Sequence, residues 1–349
     1  MSDAAVGVDK EEKLVIGVIE GKESLLISTD IAAGCAERPP WEVTDVVIYH
    51  CPCTDGGTAA AVAFMRLGSA ATYIGLSTGD LVDAAALRAK FPDEAFRDKH
   101  VVVLDICLPG PLTERAIAAA SSFLVLDHHR SSELAMSSIP DRHKVFEMRQ
   151  SGASLAWNYF FPGLAVPRLV RYVEDRDLWR GAMHNTDQVS SAMQLQDVGS
   201  PDNGWLAKLL ARGDAGVRDL ALAGVVLRKR VEQVVAEHAR HASRKHLRGW
   251  EQYTAAVVNC TLPEVSDVGN ALCRLPLQRA DFGATWSYNH ARKLFKVSLR
   301  SISDVVGGRA VPRADVSAIA ETFGGGGHVN AAGFLVDCTS IEELFVDVE

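Results

Sequence analysis

The chain has 349 residues and a formal net charge of −8, with 48% hydrophobic and 23% charged residues. This length is sufficient for two domains with cores of their own, and the composition is typical of a soluble globular protein. No apolar run approaches the roughly 20 residues that a membrane-spanning helix needs. Proteins that coat long nucleic acid are usually basic. The acidic balance therefore argues against a partner of long duplexes, and we expect any phosphate binding to be local.

The N-terminal segment carries no targeting signal that we can identify. Residues 1–13 are acidic and lack an apolar core, which excludes a secretory signal and an Arg-rich transit peptide. Residues 1–12 are expected to be disordered, 14–28 to form a short hairpin, and 34–41 to form a linker. The 7 cysteines are odd in number and scattered, which favours reduced thiols and a cytoplasmic location.

From residue 46 onward, short apolar runs alternate with helical patterns. Continuous apolar strands that alternate with helices predict a parallel sheet with helices on both faces. The predicted strands are 46–49, 71–76, 101–104 and 122–126, and the predicted helices are 58–66, 81–91 and 111–120.

Polar residues with metal-ligand chemistry follow three of these strands. They are His50, Cys53 and Asp55 after the first strand, Asp105 after the third, and Asp127, His128 and His129 after the fourth. Taken alone, the last triplet could be a helix cap followed by two surface histidines. Ligands of open parallel sheets bind beyond the carboxyl ends of the strands, so the convergence of three runs favours a site at that edge.

Two later segments leave alternatives open. Residues 153–179 look helical and end in the acidic run 174–177, which is either a solvated charge run or the source of another carboxylate for the crevice. Residues 205–250 predict long helices. Within them, 225–250 contains an excess of basic residues, which is either a basic wall that faces an anionic substrate or a solvated face.

From Tyr253 the pattern predicts a second, smaller α+β domain, with strands near 254–258, 282–288, 295–300 and 334–336. The run Gly324–His328 precedes the last strand. Four glycines pack nothing and cost chain entropy, but they suit a place where backbone amides approach a phosphate closely.

Clustered carboxylates need a cation. If Asp55, Asp105 and Asp175 meet in one crevice, two of them about 5 Å apart repel by about 3 kcal/mol at an effective dielectric near 20. A divalent ion removes this repulsion, and mixed carboxylate and imidazole donors suit manganese, with zinc, iron or cobalt as alternatives. Two such ions can activate water and clamp a phosphoryl oxygen. No Gly-x-Ser-x-Gly or Walker motif offers a competing chemistry.

In their order and spacing, these residues resemble the DHH phosphoesterase superfamily, in the branch whose C-terminal DHH-associated domain carries a Gly-Gly-Gly-His motif. The resemblance covers residues 45–337. The matching motifs are Asp55-Gly56, Val103-Leu104-Asp105, Leu126-Asp127-His128-His129, Val173-Glu174-Asp175, Val297-Ser298-Leu299-Arg300-Ser301, and Gly324 through Gly333.

The resemblance implies a site with two manganese ions, although magnesium, cobalt or zinc would also fit. Asp55, Asp105, His128 and Asp175 would hold one ion, with Asp105 bridging, and His50 and Asp105 would hold the other. His129 would contact the substrate phosphate or donate a proton, and Asp127 would orient the histidines. The implied substrate-binding residues are Arg300, Ser301, Gly325, Gly326, Gly327, His328 and Asn330.

One departure from the family pattern concerns the first motif. The usual form is His-x-x-x-Asp-x-Asp, but here the segment is His50-Cys51-Pro52-Cys53-Thr54-Asp55. Cys53 replaces the first Asp, and the loop is one residue shorter. A thiolate could bind a metal more softly. Alternatively, the first ion is weak or absent, and the second ion carries the chemistry. A third alternative is a degenerate protein that binds nucleotides without catalysis.

By resemblance, the expected function is a phosphodiesterase or 3′-phosphatase of small nucleotides. Its substrates would be short oligonucleotides, as for a nanoRNase-type exonuclease, linear or cyclic dinucleotides, or 3′-phosphoadenosine 5′-phosphate (pAp). A pyrophosphatase or polyphosphatase is the alternative, although those relatives lack the Gly-Gly-Gly-His motif. We divide the chain into an N-terminal extension (1–44), the metal-binding domain (45–200), a helical linker (201–251) and a substrate-binding domain (252–349). A homodimer is compatible with this interpretation.

Overall fold

The computed structural model describes residues 18–19, 22–23, 40–92, 94–195, 204–261, 264–274, 280–306 and 309–348. Val18–Ile19 (β1) and Lys22–Glu23 (β2) pair in antiparallel fashion inside the predicted N-terminal hairpin. The rest of that hairpin, the predicted disordered segment and most of the predicted linker lie outside the described residues.

The N-terminal sheet is parallel throughout its described strands, which confirms the predicted α/β class. Its strand order is β4-β3-β5-β6-β7. The last strand was not predicted, because it is short and only partly buried. The strands are Val46–His50 (β3), Thr72–Leu76 (β4), His100–Leu104 (β5), Ser122–Asp127 (β6) and Lys144–Phe146 (β7).

Helices cover both faces of this sheet, as the continuous apolar strands predict. In β3, Val47 and Tyr49 enter one core while Val46 and Ile48 enter the other. Each fully buried aliphatic side chain contributes about 1.5–3 kcal/mol relative to an exposed one. The helices of this region are Thr54–Leu67 (α1), Ala84–Lys90 (α2), Gly110–Ala119 (α3), Arg130–Ala135 (α4), Gly152–Phe160 (α5) and Arg168–Asp177 (α6).

Among the described residues, three helices lead from the first sheet to the second: Thr186–Met193 (α7), Trp205–Ala211 (α8) and Gly213–Arg240 (α9). The prediction that helix continues to residue 250 was wrong. Ser243–Leu247 (β8) is a strand that pairs with the C-terminal sheet. Its residues are mostly polar, so cross-strand pairing rather than local pattern decides its conformation.

The C-terminal sheet has the order β14-β15-β11-β10-β9-β8-β16 among the described strands, with α10 and α11 packed against it. Strands β12 and β13 form a separate antiparallel pair. The elements are Thr254–Asn259 (β9), Val265–Leu272 (α10), Phe282–Asn289 (β10), Leu294–Ser301 (β11), Ser303–Val306 (β12), Arg309–Pro312 (β13), Val316–Glu321 (α11), Gly326–His328 (β14), Ala331–Val336 (β15) and Phe345–Asp347 (β16).

Strand β11 determines which side chains face the first sheet. Phe295, Val297 and Leu299 are buried in the C-terminal core. Because side chains alternate along a strand, Lys296 and Arg300 share the opposite face, where both line a cavity between the two sheets.

Polar contacts hold the two parts of the molecule together. Nη1 of Arg292, beside the β10–β11 turn, donates to the carbonyl of Gly79 at 2.8 Å. Nη2 of Arg176 on α6 donates to Oδ2 of Asp267 on α10 at 2.7 Å. Within the described ranges, no helix has both the length and the apolarity that crossing a bilayer requires.

Candidate metal centre and adjoining cavity

A cluster of acids and imidazoles lies at the carboxyl edge of the N-terminal sheet. Nε2 of His128, just after β6, lies 3.0 Å from Oδ1 of Asp105 and 3.5 Å from Oδ2 of Asp55. Oδ2 of Asp177, at the end of α6, is also 3.5 Å from this nitrogen. On the other side of Asp105, Oδ2 lies 3.3 Å from Nδ1 of His50. Residues that are far apart in the sequence are therefore brought into contact by five different elements.

Asp55 is fixed by the N-terminus of a helix. Its two carboxylate oxygens accept hydrogen bonds from the backbone amides of Gly152 and Ala153 at 2.6 and 2.9 Å, in the first turn of α5. The helix dipole favours negative charge at this position. A Cβ atom on Gly152 would lie 2.5 Å from Cβ of Asp105. A glycine is therefore required for α5 to approach both carboxylates.

Asp105 occupies the centre of the cluster in a strained conformation. Its φ is +58°, a left-handed value that costs non-glycine residues about 1–3 kcal/mol and is found mainly at functional sites. Its amide still donates to the carbonyl of Leu126 at 2.9 Å, which fixes the end of β5 against β6. The side chain is 1% exposed and reaches His128 with one oxygen and His50 with the other.

The electrostatics of the cluster favour a bound cation. Burial raises the pKa of Asp55 well above its usual range, and Asp105 and Asp177 add to this effect. Burial alone would lower the pKa of His128, but its contact with Asp105 and the other two carboxylates outweighs burial and raises that pKa to about 10. Burial would raise the pKa of Asp105, but its close contacts with the imidazoles of His128 and His50 hold it well below its usual range.

Unsatisfied polar atoms point to the same conclusion, because a buried polar atom without a partner is costly. Among the described residues, several buried polar atoms of the cluster have no hydrogen-bond partner: Oδ2 of Asp105, Oδ2 of Asp177, Nδ1 of His50, Nδ1 of His128 and Oδ2 of Asp127. Ligand atoms of Asp55, His128 and Asp177 lie within 4.8 Å of one another, as do those of His50, Cys53 and Asp105. The second set includes Asp105, whose Oδ1 lies 3.0 Å from Nε2 of His128 in the first set. The chemistry of the two sets fits a pair of divalent ions.

The sequence analysis predicted that Asp175 joins the cluster, but the acidic residue that α6 contributes is Asp177. The carboxylate of Asp175 accepts hydrogen bonds from the amides of Ala182 and Met183 at 2.8 and 3.2 Å and thus fixes the turn after α6. The sequence does contain a signal for Asp177. It lies seven residues after Val170 and four after Val173, both buried on this helix, and these spacings place a residue on the same face of a helix.

Asp127 and His129 form a pair beside the cluster. Oδ1 of Asp127 lies 2.7 Å from Nδ1 of His129 and also accepts from the amide of His128 at 2.7 Å. This contact places the proton of a neutral His129 on Nδ1. The ring of His129 stacks on that of His328, with ring centroids 4.6 Å apart. Burial, followed by the neighbouring histidines, lowers the pKa of His328 to about 3, which keeps its imidazole neutral.

A cavity of about 480 Å³ lies between the cluster and the C-terminal sheet. His129 and His328 line it together with three cations: Arg176, Lys296 and Arg300. Nη2 of Arg300 donates to Oγ of Ser266 at 2.6 Å, and its Nε has no partner among the described residues. Burial, with a further contribution from Arg176, lowers the pKa of Arg300 to about 10, so the guanidinium remains charged at neutral pH. The sequence analysis missed Arg176 and Lys296 as cavity residues, although the alternation of side chains along β11 places Lys296 on the same face as Arg300.

Two predicted substrate-binding residues have structural contacts elsewhere. Ser301 is buried, and its Oγ donates to the carbonyl of Asp281 at 3.3 Å and accepts from the amide of Ala314 at 3.2 Å. Nδ2 of Asn330 donates to Oγ of Ser303 at 3.1 Å. Neither side chain lines the cavity. Ser301 is turned inward because β11 alternates, which puts it on the face opposite Arg300.

The glycines before His328 also differ from their predicted role. Gly326 and Gly327 pair with β15 as part of β14, and Gly325, Gly326 and Gly327 do not line the cavity. A Cβ atom on Gly325 would lie 2.1 Å from the carbonyl oxygen of Gly333, and one on Gly327 would lie 2.5 Å from that of Ala331. These glycines permit close backbone approach to β15, and their consequence for the site is the placement of His328.

The basic residues of the segment 225–250 do not line the cavity in the part of the chain that the structure describes. Arg228 pairs with Asp267 at 2.7 Å, and Arg240 pairs with Glu237 at 2.8 Å. This placement agrees with the solvated-face alternative for the segment, apart from Arg228, which connects α9 to α10.

The fold and the cluster define an α/β protein that has a candidate two-ion centre at its parallel sheet and a cationic cavity wall on its second sheet. The residues that carry the sequence resemblance to the DHH phosphoesterase superfamily include His50, Asp105 and His128, which the fold brings together at one edge of this sheet. No protein-family model matches the chain.

Comparisons with individual proteins give distant similarities. Uncharacterized protein R106 of Acanthamoeba polyphaga mimivirus is 29% identical over 305 residues, which cover 83% of this chain and 66% of that protein. The chain thus spans just under two thirds of the length of this curated relative. A solved DHH domain, from a protein described as a member of a family of ribosomal proteins, is 14% identical with a TM-score of 0.49, and the match covers 84% of this chain and 83% of that one. RecJ of Thermus thermophilus in complex with Mn²⁺ is 16% identical with a TM-score of 0.44, and the match covers 85% and 50%.

Proposed function

We propose that this chain is a metal-dependent phosphoesterase that hydrolyses phosphodiester or phosphomonoester bonds of small nucleotides. The observation that carries the proposal is the arrangement of opposite charges across one cavity. Buried carboxylates and imidazoles form one wall, and Lys296 and Arg300 stand on the other. Such a cavity can hold metal ions on one side and the phosphate of a substrate between the two walls.

The ions that fit the two donor sets are manganese or chemically similar divalent metals. Asp55, Asp105, His128 and Asp177 would hold one ion. His50, Cys53 and Asp105 would hold the other. Divalent ions bound at such a pair supply an activated water and neutralise charge on the phosphoryl oxygens.

The protein's own groups would bind and orient the substrate. The half-buried guanidinium of Arg300 and the exposed ammonium of Lys296 would bind a phosphate. A cation that is partly withdrawn from water binds an anion more strongly, so Arg300 would make the larger contribution. Burial would lower the pKa of His129, but Asp127, which holds its Nδ1–H, outweighs burial and raises that pKa. The protonated His129 would then donate its Nε2–H to a phosphoryl oxygen or transfer that proton to the leaving group. His328 packs against His129 and restricts its orientation.

The size of the cavity and the net charge favour a small substrate. A volume of about 480 Å³ lies within the range of small-molecule sites, which is about 300–1,000 Å³. The net charge of −8 would repel a long polyanion. The substrates that we propose are linear or cyclic dinucleotides, oligonucleotides of a few units, and pAp.

The proposal is tested by incubating the manganese-loaded protein with this panel and with pyrophosphate. We expect hydrolysis of at least one nucleotide and its loss in Asp105→Asn, because the central carboxylate serves both donor sets. Asp304→Asn is a suitable control, since Asp304 pairs with Arg313 on an exposed hairpin away from the cavity. If every nucleotide stays intact, the proposal fails. Phosphate release from pyrophosphate alone would instead support the pyrophosphatase alternative.

A further inference from the structure

The two donor sets of the candidate centre differ in one atom. Three carboxylates and His128 surround the first position, so it offers only oxygen and nitrogen. The second position combines Nδ1 of His50, an oxygen of Asp105 and Sγ of Cys53, with all three ligand atoms within 4.8 Å of one another. Sulfur is a much softer donor than carboxylate oxygen, and this difference changes which metals bind well.

The position of Cys53 on the backbone directs its thiol toward the second position. Cys53 is the N-cap residue of α1, with extended φ and ψ of −150° and 138°. Its side chain lines the cavity. The neighbouring ligand atoms, Nδ1 of His50 and Oδ2 of Asp105, are buried and lack hydrogen-bond partners among the described residues.

Cys51 offers a comparison within the same loop. A cysteine in a protein interior usually acts as a small apolar residue. Cys51 also lines the cavity, but it packs against the hydrophobic core that contains Val47 and Tyr49. It belongs to none of the donor groups found in the described part of the chain. Cys53, two residues later, belongs to one. The contrast indicates that Cys53 has a ligand role and is not merely a packing residue.

We propose that Cys53 makes the second position selective for zinc, cobalt(II) or iron(II), so that the centre holds two different metals, with manganese or magnesium at the first position. On binding, the S–H bond of Cys53 breaks, a sulfur–metal bond forms, and the proton is released to solvent. Asp105 would connect the two ions. This inference rests on the metal centre of the proposed function and specifies its composition.

Cobalt(II) is a direct probe, because a thiolate ligand produces a charge-transfer absorption band in the near ultraviolet. We expect metal-stripped wild-type protein, titrated with cobalt to two equivalents, to develop this band. Cys53→Ser should lose the band, whereas Cys51→Ser should retain it. Zinc affinity at one of the two positions should fall at least about tenfold in Cys53→Ser, since even residues behind metal ligands change affinity by about 10–100-fold. In Cys53→Asp, both positions should accept manganese.

The outcomes separate this inference from the proposed function. Two bound cobalt ions without the band, a band that survives Cys53→Ser, or a wild-type protein that binds no cobalt would each overturn the inference. If manganese alone fills both positions and supports nucleotide hydrolysis in wild type and Cys53→Ser, the inference fails while the proposed function stands. If the band depends on Cys53 but the protein leaves every nucleotide intact, the inference stands and the proposed function fails.

Discussion

The carboxylate of Asp177 lies 3.5 Å from Nε2 of His128, whereas Asp175, two residues earlier on the same helix, bonds to the turn that follows. The two acids therefore have different roles despite their proximity in the sequence. One completes a donor set of the candidate centre. The other fixes the polypeptide between α6 and α7.

This difference predicts opposite effects for two matched substitutions. Asp177→Asn should lower metal affinity by more than about tenfold and leave the free energy of unfolding of the metal-free protein unchanged or higher, because it removes one repelling carboxylate. Asp175→Asn should keep the metal content and lower the free energy of unfolding by about 1–3 kcal/mol, since amides that bonded to a carboxylate lose a partner. Metal analysis and urea denaturation measure both quantities. Loss of metal in Asp175→Asn at normal stability would contradict the assignment.

The register of α6 shows where sequence reasoning reaches its limit. The end of a parallel strand is fixed by its apolar run, so His50, Asp105 and His128 could be expected at one edge. A residue on a helix turns by about 100° relative to the previous one, so a choice between Asp175 and Asp177 reverses the direction of the side chain. Both acids follow buried positions, and only the packing of α6 against the sheet decides between them.

The glycine run shows a second limit. A glycine allows close approach whether the approaching group is a phosphate or another backbone, and the sequence does not state which. At Gly325 and Gly327 the approaching groups are carbonyl oxygens around β15. Arg300 and His328, which the resemblance singled out as substrate-binding residues, both line the cavity, and their role there stays a prediction.

Gly152 is predicted to be intolerant of a side chain. In Gly152→Ala, the new methyl group would lie 2.5 Å from Cβ of Asp105 and would push α5 or Asp105 out of place. Overpacking of this kind costs about 1–3 kcal/mol, and we expect a comparable loss of stability together with weaker metal binding. Gly110→Ala is the control, because no atom lies near its Cβ position and its φ is not left-handed. Equal melting temperatures and metal affinities for the two variants would disprove the proposed close approach.

Asp127 is predicted to act through His129. Asp127→Asn keeps the shape of the side chain but removes the negative charge that holds Nδ1–H of His129. Proton transfer by a positioned side chain contributes about 10²–10⁴-fold to rate, so kcat should fall by a large part of that range while KM changes little. Asp83→Asn, at the exposed N-cap of α2, should keep normal kinetics. The pH profile of kcat should also shift in Asp127→Asn, a change that a purely structural role would not produce. An unaltered kcat would exclude His129 from the proton transfer that we propose.

Arg300 is predicted to contribute to substrate binding more than to the chemical step. Its guanidinium remains charged at neutral pH, because the pKa of about 10 lies well above 7. Its Nε–H has no hydrogen-bond partner among the described residues and is available to donate to an anion. A hydrogen bond to a charged group contributes about 1.5–3 kcal/mol, so Arg300→Ala should raise KM by about 10–150-fold. A phosphate held away from the reacting bond is bound about equally in the ground and transition states, so kcat should change much less. Arg244→Ala removes an exposed cation from β8 on the same sheet and should leave KM unchanged. Steady-state kinetics on the best substrate of the panel would decide the point, and a normal KM in Arg300→Ala would mean that the phosphate docks elsewhere.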